Sequence, residues 1–242
     1  MRTDALIERR PFVKVCGLHS TGDVELAASL DVDAVGLVRH APSPRHLSDA
    51  ALSELGRAAN RAGVPAVLVT VDPTRDDVER LIREAGLTAV QLCGTEDPAA
   101  WKGLPVPILR RVGVSADGFD ELRRWAELAA AIVLDAPAAP GGTGRTVDTE
   151  LAERLAAEAP CLLAGGLDGT RVDDLPASLT AKLVGFDASS RLESSTGVKS
   201  GARVAAFVQA AHAAAAAPFP PHASHRSALR ADLSLHKGPS VR

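Results

Sequence analysis

Short apolar runs alternate along the chain with longer stretches whose apolar residues recur at helical spacing. The runs fall at about residues 12–16, 33–38, 64–71, 88–92, 106–112, 131–135, 161–164 and 182–187. Helical spacing is expected over 21–30, 49–62, 75–85, a short stretch near 98–102, then 117–128, 148–158, near 169–175, and 201–216. Strand-like runs that alternate with helices predict parallel pairing, because each helix carries the chain back to the start of the next strand. Eight such units favour closure into a single (β/α)8 TIM barrel. A doubly wound open sheet also alternates strands and helices. It would usually need six strands and a glycine-rich first turn, whereas the first turn here reads Cys16-Gly-Leu-His-Ser20.

Composition fits that architecture. The chain has 242 residues, 46% of them hydrophobic but only 3% aromatic, with no tyrosine. Its core must be built from Val, Leu, Ile and Ala, which suits the layered interior of a barrel. A formal net charge of −3 gives no broad attraction for nucleic acid. No apolar run approaches the roughly 20 residues of a membrane span, and the first residues, MRTDALIERRPF, lack the apolar core of a signal peptide. The expected location is cytoplasmic. Cys16, Cys93 and Cys161 are odd in number and far apart, unlike a disulfide framework or a zinc site. The barrel is assigned to residues 1–216. Residues 217–242, rich in proline, histidine and basic side chains, read as a flexible tail.

In a barrel the loops that follow the strands form the active rim. Polar residues at strand ends therefore carry most weight: Cys16, Arg45, Gln91, Asp135, Gly165 with Gly166, and the segment from Asp187 to Ser190. Alternation along a strand sharpens two of these. Lys14 and Cys16 share one face of the first strand, and Val13 and Val15 the other. Cys16 is expected inside at the rim, with Lys14 one layer below. Ala131, Val133 and Asp135 share a face of the sixth strand, which puts Asp135 inside as well. A thiol and a carboxyl facing one cavity can divide acid–base work once each is tuned. Taken alone, Cys16 could equally be a buried, inert thiol, whereas a carboxylate ending an apolar run needs a partner or solvent. Gly165-Gly166 after the seventh strand, Ser189-Ser190 after the eighth, and Gly142 and Gly144 after the sixth suit close approach of backbone amides to an anion. Each alone could be a tight turn.

The segments VKVCG (13–17), DAVGLV (33–38), SPR (43–45), VQLCG (90–94), VLDAP (133–137), GGTG (141–144), LAGGL (163–167) and VGFDASS (184–190) run in one order along residues 12–208. Together they resemble the phosphoribosylanthranilate isomerase family of tryptophan biosynthesis. The resemblance implies a (β/α)-barrel isomerase that performs an Amadori rearrangement. N-(5-phosphoribosyl)anthranilate would become 1-(2-carboxyphenylamino)-1-deoxyribulose 5-phosphate. By the same resemblance Cys16 is the general base and Asp135 the general acid. Arg45 would contact the anthranilate part. Gly165, Gly166, Ser189 and Ser190 would hold phosphate. Gln91, Gly142 and Gly144 on the rim loops, and Arg191 beside Ser190, are counted among the substrate-binding residues. Proton-shuffling chemistry of this kind requires no metal, nucleotide or redox cofactor. The implied partner is a small phosphorylated substrate, with neither nucleic acid nor membrane, and the implied state is a monomer or homodimer. A related barrel isomerase of histidine biosynthesis would carry aspartate where Cys16 stands.

Several positions depart from the family pattern. Cys93 replaces a histidine, Arg39 a large apolar ring and Arg191 a glycine, and Arg171 lies where an asparagine is preferred. Three added arginines, Arg39, Arg171 and Arg191, suggest a more anionic or differently shaped substrate. This keeps two other readings open: a divergent enzyme acting on another phosphorylated amino-sugar, and a non-catalytic barrel that binds a phosphorylated metabolite.

Overall fold

The computed structural model describes residues 11–137 and 147–215. Gly142, Gly144 and the segment 217–242 lie outside the described residues; the last helix, expected to reach residue 216, ends at Ala213. Eight parallel strands close on themselves in sequence order, each hydrogen-bonded to the next and the eighth to the first. They are β1 (Phe12–Cys16), β2 (Ala34–Arg39), β3 (Ala66–Thr70), β4 (Ala89–Leu92), β5 (Ile108–Gly113), β6 (Ala131–Asp135), β7 (Cys161–Leu163) and β8 (Gly185–Ala188). The helices between them are α1 (Thr21–Ser29), α2 (Asp49–Ala62), α3 (Arg75–Ala85), α4 (Gly118–Trp125), α5 (Thr149–Ala156), the pair α6 (Gly169–Asp173) and α7 (Ala177–Thr180), and α8 (Gly201–Ala213), with a 3₁₀ turn at Pro98–Trp101. The expected (β/α)8 barrel is therefore the fold. Among the described residues no helix is long and apolar enough to cross a membrane.

Local chemistry sets the helix ends. Ser20, Ser48, Thr74, Asp148 and Asp168 precede their helices, and each side chain accepts from a backbone N–H of the first turn. This satisfies donors that have no partner inside the helix. Gly63 and Gly86 end α2 and α3 in the left-handed region, with φ of 69° and 64°, where a side chain would add strain.

Alternation along each strand sorts the apolar side chains into two layers. Val13, Val15, Val35, Leu37, Leu68 and Leu134 pack outward against the helices. Phe12, Cys16, Val67, Val69, Leu109 and Val133 fill the interior of the barrel. Lys14 is on the inward face and fully buried, as its parity predicts. Its Nζ lies 2.9 Å from Asp187 Oδ2 on the neighbouring strand, with which it stands in register. Burial on its own would lower the Lys14 ammonium. The facing Asp187 and Cys16 outweigh that and hold it above the ordinary lysine range.

Three further details differ from the sequence reading. The helix expected near 169–175 ends at Asp173, and a second short helix, α7, follows before β8. The eighth strand starts at Gly185 rather than 182, because Ala181 and Lys182 turn the chain out of α7. After β8 the chain makes a small antiparallel hairpin, β9 (Glu193–Ser195) with β10 (Val198–Lys199). Strands of two or three residues are too short to leave a period in the sequence.

Removing one member of the buried pair strands the other. Lys14→Met is expected to lower stability by about 3–5 kcal/mol, and the double change Lys14→Met with Asp187→Leu by much less. Urea denaturation of both variants checks this. Equal losses in the two would mean that the ion pair is not what matters at that layer.

Candidate active site

A cavity of about 360 Å³ opens at the C-terminal rim of the barrel. Cys16 and Asp135 both line it. They come from β1 and β6, so they enter from separate strands, as alternation along those strands predicts. Gln91, Arg45, Gly165, Gly166, Ser189 and Ser190 line the same cavity. Eight of the candidate residues named from the sequence thus converge there.

Room for the two reactive groups comes from glycines. A Cβ built on Gly36 would sit 2.5 Å from Cys16 Sγ, and one on Gly165 would sit 3.1 Å from Asp135 Oδ1 and 3.0 Å from the Ala136 backbone nitrogen. Gly165 also has φ of 82° and Gly166 of 71°, conformations that a side chain rarely adopts. The sequence reading gave Gly36 no role. Its only signal was a glycine inside an apolar strand, which often marks close approach of another group.

The thiol stands over buried charge. Burial pushes the Cys16 thiol above its ordinary range. Lys14 and Lys199 pull it back, while Asp187 adds to the rise. The backbone carbonyl of Cys16 accepts from Ser189 Oγ at 2.9 Å, tying the end of β1 to the loop after β8. Cys93 is also raised, to about 12, chiefly by burial.

Asp135 is held from two sides. Its Oδ1 accepts from the Ala136 backbone N–H at 2.8 Å. Its Oδ2 lies 3.1 Å from Arg111 Nε, and Arg111 Nη2 donates to the Ala136 carbonyl at 2.8 Å. Arg111 lines the cavity and was not among the residues named from the sequence. Its neighbour Arg110 points the other way. Arg110 is buried against Glu96 and Glu121, with its guanidinium 4.8 Å from the centre of the Trp125 ring.

Arg45 is bound as well. Its Nε and Nη2 donate to the two oxygens of Glu193 at 2.6 and 2.7 Å, and Lys199 Nζ reaches the same carboxylate at 3.0 Å. Burial works against the charge on Glu193, yet Arg45 and Lys199 hold its carboxyl below the ordinary range. Glu193 and Lys199, on the unexpected hairpin, are therefore the supports of Arg45.

The three added arginines do not line the cavity. Arg39 ends β2 on the outward face and bonds Asp49 at 2.6 Å. Arg171 is exposed on α6, and Arg191 Nη1 lies 3.4 Å from Asp168. They give no ground for a changed substrate through direct contact. Cys93, by contrast, does line the cavity, 3.5 Å from Gln91 Nε2.

Fold and site together define a class: a (β/α)8-barrel protein with an open rim cavity, a thiol and a carboxyl on its strands and small residues on loops seven and eight. Comparison with known proteins narrows it. Residues 13–210 match the family described as "N-(5'phosphoribosyl)anthranilate (PRA) isomerase". An N-(5'-phosphoribosyl)anthranilate isomerase of Cereibacter sphaeroides is 37% identical over 211 residues, covering 82% of this chain and 97% of that protein. One of Nitrobacter winogradskyi is 34% identical over 212 residues, covering 84% and 93%. The crystal structure of the phosphoribosyl anthranilate isomerase of Thermus thermophilus superposes with a TM-score of 0.70 at 28% identity, over 82% of this chain and 96% of that one. The chain belongs to the N-(5'-phosphoribosyl)anthranilate isomerase family.

Because burial outweighs the lysines, Cys16 is expected to react with iodoacetamide only as the pH rises past the ordinary thiol value of about 8.5. Mass spectrometry of the Cys16 peptide across a pH series measures this. A midpoint at or below that value would mean that Lys14 and Lys199 dominate instead.

Proposed function

We infer that the protein is an isomerase that converts N-(5-phosphoribosyl)anthranilate into 1-(2-carboxyphenylamino)-1-deoxyribulose 5-phosphate. The observation that carries this reading is the convergence of Cys16 and Asp135 on one rim cavity in a chain of this family. The cavity also has two unlike ends. Gly165, Gly166, Ser189 and Ser190 offer small residues and backbone amides to a phosphate on loops seven and eight. Val38, Val69, Val71 and Pro44, on the β2–β3 side, offer an apolar wall to an aryl ring. Arg45 is available to that ring from the loop after β2. Gly142 and Gly144 are counted among the substrate-binding residues.

The chemistry follows from the two groups. Asp135 gives a proton to the ribose ring oxygen, and the C1–O bond breaks to leave a protonated imine. That cation acidifies the hydrogen on C2. The Cys16 thiolate removes it, and the resulting enolamine tautomerises to the aminoketone. No atom is gained or lost, as an isomerisation requires. The sugar hydroxyls would supply donors to Gln91 Oε1 and Asp187 Oδ1, two buried oxygens on cavity residues without a hydrogen-bond partner among the described residues. The reading carries with it a cytoplasmic location, a monomeric or homodimeric state, and a single barrel domain followed by a separate tail at 217–242.

Each group acting as a general acid or base is typically worth about 10²–10⁴-fold. Cys16→Ser and Asp135→Asn are each expected to lose turnover in that range while keeping the wild-type melting temperature. The fluorescence decay of freshly generated phosphoribosylanthranilate measures the rate. Full turnover in either variant would remove that residue from the mechanism.

A further inference from the structure

Arg45, on the loop after β2, is held by a side chain to which the sequence reading gave no role. Glu193 takes one edge of its guanidinium, with Nε and Nη2 donating to the two carboxylate oxygens at 2.6 and 2.7 Å. A guanidinium carries five N–H donors in one plane. The third nitrogen, Nη1, makes no hydrogen bond among the described residues. The plane is therefore fixed on one side, and its other edge, Nη1 with the outer N–H of Nη2, is left open on a residue that lines the cavity.

The grip is backed from several sides. The Glu193 backbone carbonyl accepts from the Arg203 guanidinium of α8, and the Ser200 backbone N–H donates to the Leu192 carbonyl at 2.8 Å. The hairpin is thus pinned to the start of the last helix. Below Arg45 lies Gly17, where a Cβ would collide with Arg45 Cδ and stand 3.0 Å from Ser189 Oγ. Arg45 therefore crosses the end of β1 at the residue that follows Cys16. Charge adds a second argument. Arg45, Lys199 and Glu193 are all buried, and the one carboxylate serves both cations. The group carries one positive charge in excess where little water screens it, so an anion entering the cavity is favoured there. Burial opposes the charge on Glu193, but Arg45 and Lys199 hold its carboxyl below the ordinary range. It stays ionised at neutral pH and keeps its hold on the guanidinium.

We propose that Glu193 is a positioning residue that turns the open edge of Arg45 into the cavity to read the carboxylate of the substrate's aryl group, which makes the β9–β10 hairpin a specificity element. This rests on the isomerase reading above. Two parallel N–H donors in one plane match the two oxygens of a carboxylate. One guanidinium then bridges two carboxylates, that of Glu193 on its inner edge and that of the substrate on its outer edge. Without Glu193 the long side chain regains its rotamers and offers no fixed edge. Lys199 ties this support to the loop after β8, because its Nζ donates both to Glu193 Oε1 at 3.0 Å and to the Ser189 carbonyl at 3.1 Å. The group that reads the carboxylate and the loop assigned to the phosphate share one buried ammonium.

The test compares phosphoribosylanthranilate with N-(5-phosphoribosyl)aniline, which lacks only the carboxylate. Wild type, Glu193→Gln, Arg45→Met and the double variant are assayed with both. The readout is the ratio of the two kcat/KM values, which a general loss of folded protein does not move. Wild type is expected to favour the carboxylate-bearing substrate by about 100-fold. Glu193→Gln keeps the shape and removes the charge, and its ratio is expected to fall to about 10-fold or less. In the double variant the ratio is expected to equal that of Arg45→Met, because Glu193 acts through Arg45. Should Glu193→Gln not fold, Glu193→Asp, one methylene too short to meet both nitrogens, takes its place with the same two readings. The proposal is overturned if the Glu193 variant keeps the wild-type ratio, or if it lowers the ratio further in the Arg45→Met background. It is also overturned if wild type turns over both substrates equally well, which would put the phosphate rather than the carboxylate at Arg45 and leave the isomerase reading standing. Absence of turnover of either substrate by wild type would overturn the isomerase reading itself, and the proposal with it.

Discussion

The ion pair between Lys14 and Asp187 is the constraint on which the rest of the site depends. The two residues stand in register on β1 and β8, the strands at which the barrel closes on itself. Around them the interior is filled by Phe12, Ala34, Val67, Ala89, Leu109, Ala131 and Leu162, so a charge there survives only with its counter-charge beside it. The 2.9 Å contact therefore fixes how the last strand meets the first. One layer above, those strands deliver Cys16 and the segment from Ala188 to Ser190 to the same cavity. The pair also sets the field beneath the thiol. Burial is the largest influence and keeps the thiol raised, while Lys14 stabilises the thiolate and Asp187 opposes it.

Much of this was legible in the residues themselves. FVKVC and AAIVLD alternate cleanly enough to turn Lys14, Cys16 and Asp135 inward, and each is found there. The fifth strand was harder. It reads ILRRVG, with two adjacent arginines, and alternation says only that they take opposite faces. Which one enters the cavity depends on register with β6, where Arg111 pairs with Val133 and Gly113 with Asp135. That register also brings Arg111 beside Asp135. Arg39 misled for the mirror-image reason. It follows the inward Val38 by one residue and so faces outward, to Asp49. Glu193 could be seen in the segment after β8, but its partner Arg45 is 148 residues away, a pairing that no local pattern encodes.

The cavity depends as much on what its glycines leave out as on the groups it holds. In a barrel of eight strands the interior is narrow, and inward side chains normally fill it. Gly36 leaves the space in which the Cys16 sulfur sits, and Gly165 leaves the space beside the Asp135 carboxyl. A methyl group at either position would push on the Cys16 sulfur or the Asp135 carboxyl. Gly165 is further bound by its positive φ, so at that place clearance and backbone conformation ask for the same residue.

The ionic contacts of the rim form a graded series, and the grading has a physical basis. Lys14 with Asp187, and Arg45 with Glu193 and Lys199, are buried pairs in which each charge has its counter-charge within the protein. Breaking either leaves an ion with neither water nor a partner. Arg111 and Asp135 are less deeply buried, at 13% and 12% side-chain exposure, and their contact is longer. A pair that retains some solvent is less costly to disturb than one that retains none. The barrel therefore concentrates rigidity on the side where β8 meets β1 and the hairpin supports Arg45. The β5–β6 side keeps the more exposed pair, whose carboxyl lines the same cavity as Cys16.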